Sequence, residues 1–119
     1  MIIGNMTAML QVRTTTQNKI GEDVESWEDV IDLKGFLDLS SGESKYTTYN
    51  AKIQESTHIF ICDYKPIPEF IEVNGELVKV TSENARMVAN SQNYDVVLID
   101  NPMELNQHYE IYLKYTGGQ

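Results

Sequence analysis

Apolar and polar residues alternate with a period of two along much of this chain, the spacing of strands that bury one face and wet the other. Leu10, Val12 and Thr14 alternate with Gln11, Arg13 and Thr15 in a run rich in β-branched residues, which predicts a first strand from Met9 to Gln17. Residues 19–25 carry Gly21 and acidic side chains without apolar periodicity, so they predict a turn. Trp27 opens a second extended segment reaching Leu39, with Val30, Leu33, Phe36 and Leu37 as further apolar residues. Its spacing slips, and Gly35 is the expected bulge or bend.

Residues 40–56 interrupt this regime. Serine, threonine, tyrosine, glycine and charged residues fill the segment, and Ala51 and Ile53 are its aliphatic side chains. It cannot anchor itself in a core and predicts a long projecting loop, with a short helical turn near 41–44; loops of this length in small domains tend to be functional or disordered. Thr57 to Tyr64 then predicts a buried strand, stopped by Pro66 and Pro68. Phe70 to Val73 and Leu77 to Val80 flank Asn74-Gly75, a pair that tolerates positive φ at both central positions and predicts a type I′ hairpin. Residues 82–89 fit either a helical turn or a strand. Tyr94 to Ile99 and His108 to Tyr115 predict the remaining strands, with 117–119 as a loose tail. About seven short strands and little helix predict an all-β fold, a small β-barrel with the 40–56 loop projecting from it.

The chain has 119 residues, enough for one domain spanning 1–119 and too few for two. Lys and Arg number 9 against 18 Asp and Glu, giving a formal charge of −9 that repels phosphate backbones and disfavours nucleic-acid binding. One cysteine, Cys62, excludes an internal disulfide framework. The first ten residues lack the basic region of a signal peptide, and no apolar run approaches the ~20 residues of a membrane helix, so a soluble protein without membrane attachment is expected.

Candidate chemistry is sparse. Glu22, Asp23, Glu25, Glu28, Asp29 and Asp32 place six carboxylates within eleven residues, but without the alternating ligands and central glycine of a calcium loop, and read as a solvated acidic edge. His58 and His108 stand 50 residues apart in strand patterns and suit half-buried or surface positions better than the role of ligand or general base. With a single cysteine, expected to be a buried structural thiol, there is no zinc set. No nucleophile, base and orienting group assemble, and phosphate-loop and dinucleotide motifs are missing, so neither an enzyme nor a cofactor is expected. Tyr46 and Tyr49 differ from the other tyrosines because no core demands them; aromatic residues in a polar loop suit a contact surface.

The order of Trp27-Glu28-Asp29-Val30, Leu33-Lys34-Gly35-Phe36-Leu37, Ser41-Gly42-Glu43-Ser44-Lys45-Tyr46, the strand His58 to Tyr64, the hairpin Val73 to Val80 and the closing strand Tyr109 to Tyr115 resembles the head-closure proteins of long-tailed bacteriophages. The resemblance spans almost the whole chain. It implies a small β-barrel that self-associates into a ring beneath the portal and its adaptor, closes the DNA exit channel after packaging and offers the tail a docking surface. It further implies that the 40–56 loop forms the stopper, with Ser44, Lys45, Tyr46, Thr48, Tyr49, Asn50 and Lys52 meeting neighbouring subunits or the gate. The protein would then be assembled in the host cytoplasm and reside in the virion at the head–tail interface, with DNA passing an acidic wall without specific binding. Two alternatives remain at this level: another head–tail joining component, such as the mainly helical adaptor or a tail-end joining protein, and an acidic DNA-mimicking inhibitor.

Overall fold

The computed structural model describes residues 6–39 and 56–118. Among them the strands are β1 (Met6–Gln17), β2 (Asp23–Leu39), β3 (His58–Asp63), β4 (Phe70–Val73), β5 (Glu76–Lys79), β6 (Ala85–Ala89), β7 (Gln92–Asp100) and β8 (His108–Gly118). Two single 3₁₀ turns, Ser82–Asn84 and Pro102–Glu104, are the helical elements of the described residues. The fold is all-β, as the alternation predicts.

Six strands pair antiparallel in the order β1-β2-β3-β8-β7-β6, and β6 returns to β1, so the sheet closes on itself. Strands β4 and β5 form a separate hairpin. The inward positions carry the core: Leu10 and Val12 on β1, Phe60 on β3, Met87 on β6, and Ile111 and Leu113 on β8 are each fully buried. Each alternates with less buried neighbours, polar ones such as Gln11, Arg86 and Glu110 on β1, β6 and β8, and Ile59 and Ile61 on either side of Phe60.

Strands β1 and β2 outgrow the closed sheet. Strand β1 pairs with β6 only from Met9 to Val12, and β2 with β3 only from Gly35 to Leu39. Beyond those limits Arg13–Gln17 and Asp23–Trp27 continue as a two-stranded arm, and the molecule is 49 Å long against 28 and 25 Å in the other directions.

Several boundaries differ from the sequence expectation for physical reasons. The first turn is shorter than 19–25, because the Asn18 side chain folds it: Asn18 Oδ1 accepts from the Ile20 and Glu22 amides at 3.0 Å each, and Gly21 takes φ +84°. Asp23 to Glu25 therefore already lie in β2. The bulge falls at Val30, where the β1–β2 register shifts between Leu10 and Gln11, and not at Gly35. Gly35 pairs regularly with Met6 and Cys62; it must be glycine because an added Cβ would strike the Ile61 carbonyl and come within 2.8 Å of Cys62 Cβ. Residues 82–89 divide into a 3₁₀ turn and β6, the turn tied by Asn84 Oδ1, which accepts from the Thr81 amide at 3.0 Å. Gly117 and Gly118 are not a tail: they pair with Asn93 and Gln92. Asn74 and Gly75 adopt φ +52° and +83°, the expected type I′ signature.

Candidate functional site

The chain direction of β2 separates two ends. At one end it leaves Leu39, which is 73 % exposed, and re-enters at Ser56, which is buried. Leu39 pairs with His58, so the two sides of this excursion sit on neighbouring strands. The returning side is firmly held. The Thr57 amide donates to the Leu113 carbonyl at 2.8 Å, Thr57 Oγ1 accepts from the Tyr115 amide at 2.8 Å, and the same hydroxyl lies 2.8 Å from His58 Nδ1. His58 stands edge-on to Tyr94, with ring centres 5.1 Å apart, and Tyr115 completes the group at 5.5 Å from Tyr94. This aromatic group packs the mouth from which the segment departs. Residues Ser44, Lys45, Tyr46, Thr48, Tyr49, Asn50 and Lys52, the sequence-derived contact set, lie outside the described residues.

The opposite end gathers the arm, the β4–β5 hairpin and the β7–β8 connection. A groove of about 520 Å³ runs between Arg13–Gln17 of the arm and Val73, Asn74, Glu76 and Val78 of the hairpin. The β7–β8 connection holds Met103, Glu104 and Asn106 at positive φ and leaves Met103 87 % exposed. Asn101 stabilises this bent path by accepting from the Asn106 amide at 3.1 Å and donating its side-chain amide to Asn106 Oδ1 at 2.8 Å.

Polar groups on the outer wall interlock across strands. Arg86 lies 4.2 Å over the Trp27 ring, donates Nε–H to Gln11 Oε1 at 2.8 Å, and Gln11 in turn donates to Asp29 Oδ1 at 2.7 Å. This chain of contacts joins β6, β1 and β2. The sequence offers no sign of it, since Trp27 and Arg86 belong to distant segments. On β8, Glu110 accepts from Tyr112 Oη at 3.3 Å and meets His108 Nε2 at 3.0 Å, with Asp100 paired across the strand. Burial and then Glu110 push the Asp100 carboxyl above its ordinary range, opposed by His108. The Tyr112 hydroxyl is pushed up to about 12, chiefly by burial and secondarily by Glu110.

Cys62 is fully buried, and desolvation raises its thiol to about 11, so it is un-ionised near neutrality and behaves as a small apolar side chain. Both histidines are half-buried in strands, as expected. The acidic residues of β2 are mostly exposed, with Glu28 half-buried, and Arg13 approaches Glu25 at 3.9 Å. Among the described residues no group of three or more His, Cys, Asp and Glu is placed to hold a metal ion, and no helix is long and apolar enough to cross a membrane.

Comparison with protein-family models and with curated proteins gives no match for this chain.

Proposed function

We propose that this protein is a structural component of a phage head–tail connector, which closes the DNA exit channel below the portal and adaptor after packaging and presents a docking surface to the tail. In this reading the closed six-stranded sheet is a small β-barrel, copies of which stand side by side in a ring. The observation that carries the proposal is the two-ended layout. One end emits a polar, tyrosine-bearing segment of 40–55 from between two paired strands, while the other carries an arm, a hairpin and a bent exposed loop. A ring subunit needs separate surfaces of this kind, one toward the channel and others toward the partners above and below. Symmetry then multiplies weak contacts around the ring.

Charge supports the same reading. At −9 per copy a ring repels DNA at long range and lets a duplex pass without the counterion release that would hold it on a basic wall. Ser44, Lys45, Tyr46, Thr48, Tyr49, Asn50 and Lys52 are the proposed contacts with neighbouring copies or the gate. An inhibitor that imitates DNA would instead need carboxylates spread over one face, whereas six of the eighteen crowd into Glu22 to Asp32.

Removal of the gene from the phage genome that encodes it tests the proposal. Lysates are expected to hold tailless heads that have lost DNA to nuclease beside complete free tails, seen by electron microscopy. Normal infectious particles would reject it.

A further inference from the structure

The arm leaves a strand edge open. From Asp23 to Lys34, strand β2 is paired on one side with β1, and on its other side none of the described strands pairs with it until Gly35 meets β3. An open edge presents a row of backbone donors and acceptors to any extended chain that can reach it. Folded proteins protect such edges by shortening, twisting or charging them, and this one is long and charged.

The charges are of one sign along most of its length. Glu22 and Asp23 flank its start, Glu25, Glu28, Asp29 and Asp32 follow, and Lys34 closes it. Strand β1 supplies Arg13 near Glu25 as partial compensation, at 3.9 Å and with both side chains exposed. Two copies meeting edge to edge along β2 would oppose these carboxylates, so like charge disfavours self-pairing here. The same charges favour a strand carrying Lys or Arg on alternate residues, whose side chains would lie beside the carboxylates while its backbone completes the ladder. A cation already occupies part of this stretch: Lys65 Nζ donates to the Asp32 carbonyl at 3.2 Å.

From these features we infer that the β2 edge from Asp23 to Lys34 is a docking site for an extended, lysine- or arginine-bearing segment of a partner polypeptide, which binds by adding a strand. The partner segment lies antiparallel or parallel to β2 and takes its affinity from main-chain hydrogen bonds and its selectivity from charge. The inference does not rest on the connector reading and holds for any assembly in which the chain participates.

Amide hydrogen exchange of the full-length protein, with and without a synthetic peptide of alternating Lys and Val about nine residues long, tests it; that length spans roughly 30 Å of strand. The peptide is expected to slow exchange at alternate amides of Asp23 to Lys34, those that do not donate to β1. Two changes are each expected to weaken binding roughly tenfold or more. One is N-methylation of every peptide amide, which keeps the charge and removes the donors. The other is the combined substitution Asp23→Asn, Glu25→Gln, Asp29→Asn and Asp32→Asn, all at exposed or partly exposed side chains, with an unchanged exchange pattern in the core strands reporting that the variant is folded. The inference is overturned by equal protection from an alternating Glu and Val peptide, by undiminished binding of the N-methylated peptide, or by protection confined to other strands. Concentration-dependent protection of β2 without any peptide would also overturn it, because a second copy would then be the occupant.

Discussion

Cys62, Gly35 and Asp100 show how single positions in this molecule are set by their surroundings. Cys62 is fully buried with its thiol raised to about 11 by desolvation, so a thiol reagent is expected to label the native protein at least about a hundredfold more slowly than the protein unfolded in denaturant. Equal rates, followed by absorbance of the released reagent, would contradict that burial. Gly35→Ala places a methyl group against the Ile61 carbonyl and Cys62, backbone and core that cannot swing aside, and is expected to cost about 3 kcal/mol in urea unfolding. A cost under about 0.5 kcal/mol would mean that β2 and β3 do not approach as described. Asp100 has a folded-state pKa raised above its unfolded value, so the folded state binds its proton more tightly, and this group's contribution to stability falls as pH rises through that interval. Asp100→Asn, which removes the charge, is therefore expected to raise the melting temperature relative to wild type more at about pH 7 than at about pH 4. A gain that is larger at the lower pH would reverse the assigned sign.

At the scale of elements, legibility followed whether a strand's neighbours agree with its own pattern. The alternation in 10–15 and 108–113 reads directly as strands because each has one face in the core, and Asn74-Gly75 reads as a hairpin because its backbone angles are a local property of two residues. Strand β2 was only partly legible. Its first residues are exposed on both faces, Val24 included, because the arm they build lies outside the closed sheet, so no apolar period marks Asp23 to Glu25 as extended. Its bulge at Val30 depends on the register with β1, and Gly35 looks locally like a bulge although it answers to a close approach from β3. The two glycines near the C-terminus have no side chain to reveal that they pair with β7. Of the candidate contact surface, the sequence marks the tyrosines of the 40–56 segment. The Thr57, His58, Tyr94 and Tyr115 group at its base unites residues far apart in the chain, which no local pattern can announce.

At the scale of the whole molecule, the closed sheet acts as a rigid spacer between two unlike ends, and the acidic arm extends that spacer to one side. Rigidity follows from closure, since every strand of the ring is paired on both sides over at least part of its length, while β2 keeps one side unpaired by the described strands from Asp23 to Lys34. Under the proposed function, such a body would keep the surfaces at its two ends at fixed separation. The most direct measurement of that role is add-back: purified protein is mixed with DNA-filled heads and free tails from a lysate lacking it, and joined, infectious particles are counted. The account predicts that the protein assembles on the portal end of the heads, protects their DNA from nuclease and restores joining. Heads that stay leaky and tailless, with the protein unbound in the supernatant, would contradict it.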